Sequence, residues 1–173
     1  IGATHDAAVL EWAPREPRYA ALKQWLQQRP SEVKTVLDYG CGVGAVCQPW
    51  ILAGGLTTLL EPSVRCQEYL NIKYPQENVL VVDESWLIGV EPESLDALVC
   101  TDVFEHLTNP LEVQFRLWEL LKPGGQALLK FETAYPHAGH LKEAIMWFPE
   151  WARWLRSATD IIETGTYAWC RKK

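Results

Sequence analysis

At 173 residues, with 48% of them hydrophobic and 22% charged, the chain has the size and composition of one globular domain with a sizeable core. A formal net charge of -6 and a pI near 5.2 argue against a surface that tracks nucleic-acid phosphates, and the basic run Arg171-Lys172-Lys173 reads as a solvated tail. Five cysteines without a CxxC spacing indicate neither a disulfide framework nor a Cys-rich zinc site, no signal-peptide pattern is present, and no apolar run approaches a membrane span, so a cytoplasmic protein with no membrane partner is expected.

Residues 1–30 are expected to form an N-terminal helical segment, with Tyr19, Leu22, Trp25, Leu26 and Arg29 on one face after Pro17, and Pro30 as the stop. Residues 34–39 (KTVLDY) read as a buried strand that runs into glycines. A helix is predicted directly after Gly44, burying Val46, Trp50 and Ile51, with Pro49 expected to kink or shorten it. Gly54-Gly55 ends it. Residues 56–61 (LTTLLE) form a second strand, 63–74 a helix stopped by Pro75, 78–82 a third strand and 95–101 (LDALVCT) a fourth. Asn109-Pro110 opens a helix whose apolar residues are Leu111, Phe115, Leu117, Trp118 and Leu121, closed by residues 122–125. Residues 127–131 are a fifth strand.

Beyond it the pattern changes. Residues 133–140 read as a loop and 141–155 as one or two Trp-rich amphipathic helices. Residues 160–163 and 166–171 pair as a hairpin about Thr164-Gly165, with Tyr167 and Trp169 on one face. Short strands alternating with helices call for a parallel α/β sheet. The predicted fold is therefore a doubly wound, mostly parallel seven-stranded sheet with a C-terminal antiparallel hairpin, in a single domain of residues 1–173.

The chemistry concentrates at Asp38-Tyr39-Gly40-Cys41-Gly42-Val43-Gly44, where a strand enters a glycine-rich turn. Glycines allow a tight turn and close approach of a ligand to the backbone. Glu61 ends the second strand, and an acid near that spacing can accept both hydroxyls of a ribose. A nucleoside site follows. Asp38 selects the nucleoside: a carboxylate at the mouth of the turn would repel a pyrophosphate but attract an ammonium and a sulfonium. The spacing is GxGxG, not the GxGxxG of dinucleotide sites, which disfavours an NAD-dependent oxidoreductase. S-adenosylmethionine fits better than NAD.

The segment VLDYGCGVG resembles the first motif of class I S-adenosylmethionine-dependent methyltransferases. LLEPS (residues 59–63), VVDES (81–85), LDALVCTDVFEHLTNP (95–110) and LLKPGGQALLK (120–130) resemble the later motifs in their expected order. This resemblance implies that Asp38, Gly40 and Gly42 line the methionine part of the cofactor, with Cys41 and Gly44 also among the cofactor-binding residues; Cys41 itself reads as a small residue tolerated in the loop and no nucleophile. It implies that Glu61 holds the ribose, with Pro62 next to it among the cofactor-binding residues, that Asp83 faces the adenine with Glu84 and Ser85 beside it, and that Thr101 and Asp102 lie near the methionine end. The product would be S-adenosylhomocysteine.

Methyl transfer is in-line displacement, so positioning supplies most of the rate. A base helps only if the acceptor carries a proton to lose, and His106, His137 and His140 are the candidates. The Trp-rich segment 133–158 is expected to be a lid or acceptor insertion, with Tyr135, Trp147 and Trp151 as substrate residues, alongside Phe148 and Trp154. Plain helix-to-sheet packing or a dimer contact is the alternative for these aromatics. The expected acceptor is a small, apolar or aromatic metabolite.

No metal is expected: Glu105 would cap or pair and His106 would hydrogen-bond near the sheet edge. The alternative makes Asp102, Glu105 and His106 ligands for Mg²⁺ or Mn²⁺, with His137 or His140 adding a donor. That arrangement resembles the acid-x-x-Glu-His motif of small-RNA 3′-end methyltransferases. A non-catalytic module of a larger protein is a further alternative, and the opening Ile1 is expected of a domain of a longer chain. The state expected in solution is a monomer or homodimer.

Overall fold

A computed structural model describes residues 33–134, 139–164 and 168–173. The predicted helical segment 1–30, and Tyr135, His137 and Tyr167, lie outside the described residues. The chain's sheet has seven strands, mixed and mostly parallel, as predicted. It divides into two compact units, Ile1–Gly89 and Val90–Lys173.

In the first unit the strands lie in the order β3-β2-β1, all parallel: β1 (Thr35–Tyr39), β2 (Leu56–Leu60) and β3 (Val79–Val82). Val36, Leu37, Leu59 and Leu60 are fully buried, as near-continuous apolar strands of a parallel sheet should be. Helix α1 (Gln48–Leu52) begins at Gln48, three residues later than predicted. Turns occupy residues 42–47 instead, and Pro49 falls in the first helical turn. There its missing N–H has no intrahelical role and its fixed φ suits the helix, so Pro49 opens α1 without a kink inside it, and the helix is short, five residues, as the shortening alternative expected. Trp50 and Ile51 are buried as predicted. Helix α2 (Val64–Lys73) is capped by Ser63, whose hydroxyl accepts from Cys66 N at 3.3 Å.

The second unit orders its strands β4-β5-β7-β6, with β4 (Leu95–Thr101) parallel to β5 (Leu121–Lys130) and the hairpin of β6 (Thr159–Thr164) and β7 (Ala168–Lys172) antiparallel. Helix α3 (Pro110–Leu120) is capped by Asn109, which accepts from Glu112 N at 3.3 Å. Leu121 belongs to β5, not to the helix: it pairs in register with Leu95 and its backbone is extended. Helices α4 (Lys142–Met146) and α5 (Phe148–Ala158) fill the segment before the hairpin. Among the described residues no helix is long and apolar enough to cross a membrane.

Candidate functional site

In the first unit, β1 delivers Asp38 to the start of the glycine turn. Gly40, Gly42 and Gly44 all take positive φ, at 69°, 56° and 65°, which the turn requires and side chains resist. Gly40 N and Cys41 N donate to Leu60 O at 2.8 and 3.1 Å, which ties the turn to the end of β2. Tyr74 Oη donates to Gly44 O at 2.9 Å and Lys73 Nζ to Val43 O at 2.8 Å, so α2 braces the turn from its last residues. Sequence reading missed both braces, because they join positions distant in the chain.

Glu61 stands immediately after β2, buried. Its Oε2 accepts from Gly42 N and its Oε1 from Ser63 N, both at 2.9 Å. These bonds orient the carboxylate. Pro62 is exposed between Glu61 and Ser63. Asp83 is exposed after β3, and its Oδ1 accepts from Ser85 N at 2.9 Å and Ser85 Oγ at 2.5 Å. The Ser85 bonds hold its carboxyl below the usual range. Asp83 thus stands just before the short 3₁₀ helix Glu84–Gly89, its Oδ1 satisfying Ser85 N in the first turn. Tyr39 Oη donates to Glu84 Oε1 at 2.7 Å.

Asp38 is 2% exposed, and its Oδ2 has no hydrogen-bond partner among the described residues. Burial, with a smaller push from Glu61, raises its carboxyl to about 7 against a hydrogen bond from Cys47 that lowers it. A buried carboxylate with an open oxygen is costly unless a cation or donor meets it. The ammonium and sulfonium of S-adenosylmethionine supply such charge without phosphate, so Asp38, the glycine turn and Glu61 fit that group. Burial, then the Asp38 and Glu61 charges, push the Cys41 thiol well up.

In the second unit, Thr101 ends β4, buried, and Asp102 follows with φ 59°. Lys130, 4% exposed at the end of β5, pairs with Asp102 Oδ1 and with Glu132 Oε2 at 3.3 Å. The sequence hint was a lysine closing an apolar strand (ALLK), in register with Thr101. This pairing commits one oxygen of Asp102 to a buried cation.

The 3₁₀ turn Phe104–His106 comes next. Glu105 is fully buried, its Oε2 accepting from Glu132 N at 3.4 Å and its backbone O from Leu141 N at 2.8 Å. His140 Nε2 lies 4.0 Å from Glu105 Oε1, and the His106 and His140 rings meet edge to face at 5.0 Å. One ligand-capable atom from each of Glu105, His106 and His140 lies within 4.8 Å of the others. Asp102, from the alternative acid-x-x-Glu-His set, is not part of this cluster.

The aromatic residues part company. Trp151 is 5% exposed, stacks on Phe148 at 5.8 Å, meets Phe104 and Phe131, and donates through Nε1 to Gln114 Oε1 at 3.2 Å. Trp154 packs edge-on against Phe115 and Trp118. Trp147, between α4 and α5, is 41% exposed.

A family model described as a methyltransferase domain matches residues 11–169. The ubiquinone biosynthesis O-methyltransferase of Pseudomonas putida (strain GB-1) is 26% identical over 148 residues, covering 79% of this chain and 64% of that protein. The chain thus spans about 64% of the length of such curated relatives. The 1,6-didemethyltoxoflavin-N1-methyltransferase of Burkholderia thailandensis, crystallised with 1,6-didemethyltoxoflavin and S-adenosylhomocysteine, shares the fold with a TM-score of 0.71 at 19% identity, over 100% of this chain and 92% of that one. A SAM-dependent methyltransferase from Aquifex aeolicus does so with a TM-score of 0.66 at 17% identity, over 97% and 98%. With a family match over most of its length, a seven-stranded mixed sheet and an acid-flanked glycine turn, the chain belongs to the class I S-adenosylmethionine-dependent methyltransferase family.

Proposed function

We propose that the protein is an active methyltransferase that transfers a methyl group from S-adenosylmethionine to a hydroxyl of a small, apolar or aromatic metabolite. The observation that carries this reading is Asp38: a buried carboxylate with an open oxygen, set in a glycine turn whose other acid, Glu61, is already oriented. A decayed, non-catalytic module would have little reason to retain so costly a group. The choice of a hydroxyl leans on the Pseudomonas relative, an O-methyltransferase by name.

S-adenosylmethionine supplies a methyl group on a sulfonium. On this reading Asp38 holds the cationic methionine end, Gly40, Cys41, Gly42 and Gly44 let it approach the backbone, Glu61 with Pro62 takes the ribose, and Asp83 and Glu84 take the adenine. Thr101 and Asp102, with Lys130 fixing the latter, serve the methionine end. Most of the rate then comes from orientation of the acceptor. Trp147 and Tyr135 are proposed as acceptor contacts, with Trp151 acting through the packing beneath α5. The acid balance fits a small acceptor better than RNA, and a cytoplasmic location is proposed with it.

Calorimetry with S-adenosylmethionine, S-adenosylhomocysteine and NAD tests the cofactor, and turnover against a panel of phenols and catechols tests the reaction. Binding of S-adenosylhomocysteine without NAD, together with methylation of a panel member, is expected. NAD binding, or cofactor binding with no hydroxyl acceptor methylated, would count against it.

A further inference from the structure

We propose that Tyr39 is a positioning residue for the adenine end of the cofactor: its phenol holds the Glu84 carboxylate so that Glu84 accepts from the exocyclic amino group of the base. The proposal rests on the methyltransferase reading above, and it names the feature by which this chain selects adenine over a base with an oxygen in the same place. Its starting point is the 2.7 Å bond in which Tyr39 Oη donates to Glu84 Oε1. Hydroxyl–carboxylate bonds of that length are charge-assisted, roughly twice as strong as neutral ones.

The bond joins residues 45 positions apart. Tyr39, Leu60 and Val82 are the last residues of β1, β2 and β3, in register across the three strands. Neighbouring strands lie about 4.8 Å apart, so the phenol must span β2 to reach the segment that follows β3. A serine or threonine in that place stops short, and a phenylalanine brings no donor. Tyr39 is 3% exposed, whereas Glu84 is exposed. A buried ring thus sets the direction of a surface carboxylate whose rotamers are otherwise free to vary in water. Ordering the group before a ligand arrives lowers what binding must later spend on it.

The layout of the strand ends agrees. Glu61 follows the middle strand, β2, and is tied to both sides: its Oε2 accepts from Gly42 N, and its own N–H donates to Val82 O at 3.0 Å. With the ribose at Glu61 and the methionine end on the glycine turn beyond β1, the base falls on the β3 side. Asp83 and Glu84 are the acids there. Asp83 Oδ1 is engaged twice by Ser85, within its own loop. Glu84 is oriented from β1, the strand that carries the glycine turn. An ionised carboxylate only accepts, and the amino group of adenine donates. Hypoxanthine presents a carbonyl oxygen there, which offers no hydrogen and meets a negative charge. A site built to hydrogen-bond an N–H group rejects the analogue lacking it far more strongly than a site that reads shape alone.

Calorimetry on the whole chain with S-adenosylhomocysteine and with S-inosylhomocysteine, its hypoxanthine counterpart, tests this. The parent should bind S-adenosylhomocysteine about tenfold or more tightly than the inosine analogue. Tyr39→Phe keeps the ring and should lose about fivefold or more of the affinity for S-adenosylhomocysteine, with little change for the analogue, so the ratio narrows. Glu84→Ala, at an exposed position, should narrow the ratio at least as far. Tyr39→Phe added to Glu84→Ala should narrow it no further, because both act through one contact. A tyrosine that merely supports the fold weakens both nucleosides alike and leaves the ratio where it was. That result, or additive losses in the double variant, overturns the proposal. Glu84→Ala carries the test should Tyr39→Phe fail to fold: a narrowed ratio supports the proposal and an unchanged one overturns it. Binding of both nucleosides without preference by the parent overturns this proposal alone. Binding of neither overturns the methyltransferase reading, and the role of Tyr39 falls with it.

Discussion

Asp38 illustrates a function held at the expense of stability. Its carboxyl is raised from 3.8 to about 7, chiefly by burial. An acid raised on folding favours the folded state fully below its unfolded value, and that advantage is lost as pH rises through the folded value. Thermal melts of the unliganded chain should therefore show Tm falling between about pH 4 and pH 7 on this account. Asp38→Asn should flatten that fall. The affinity for S-adenosylmethionine should move the other way, rising as the carboxylate forms, and calorimetry should find Asp38→Asn weaker by about ten- to a hundredfold, the range of a hydrogen bond to a charged group. Equal affinity in both proteins would remove the charge argument. Gly44 carries a second residue-scale expectation. A Cβ there would stand 2.9 Å from Tyr74 Cε2 and 3.1 Å from Leu70 Cδ2, at φ +65°. Gly44→Ala should cost about 1–3 kcal/mol in denaturant melts, from strain and overpacking together.

At the scale of elements, α5 separates packing from exposure within one Trp-rich run. Trp151 joins Phe104, Phe131 and Phe148 in one buried aromatic cluster and satisfies its N–H on Gln114. Trp151→Ala should lose about 3–5 kcal/mol of stability, as large-to-small aromatic changes in cores do, read as a drop in Tm. Trp147 is 41% exposed, so Trp147→Ala should stay within roughly 0.5 kcal/mol of the parent while raising the acceptor's KM severalfold. Unchanged acceptor kinetics in folded Trp147→Ala would remove it from the proposed lid. The periodicity of residues 141–155 foretold helices but not which tryptophan points inward, because that depends on Phe104 and Phe131 arriving from β4's turn and β5. Pro49 and Leu121 make the same point at element ends: each lies where local pattern permits two assignments, and tertiary pairing chose one.

For the whole molecule, the net charge of -6 sets the expected partners. A labelled small RNA at about 50 mM salt, where phosphate contacts are strongest, should show no anisotropy change with the chain. Binding that weakens steeply with added salt would revive the RNA-directed alternative. Ligand linkage offers the complementary check. S-adenosylhomocysteine at about a hundredfold its Kd should stabilise the fold by about 2.7 kcal/mol, and NAD at the same concentration should leave Tm unmoved.

The amino-acid sequence alone determined the strand and helix succession, the glycine turn with Asp38 and Glu61, and through them the family, because periodicity, caps and turn glycines act over a few residues and can be read in place. Only the tertiary structure decided that Lys130 ties down Asp102, that Gly139 holds His106, and that Glu105 lies open-oxygened beside His140. Those pairs are separated by tens of residues, and their meeting depends on how β4, β5 and the segment before α4 pack, which no local pattern encodes.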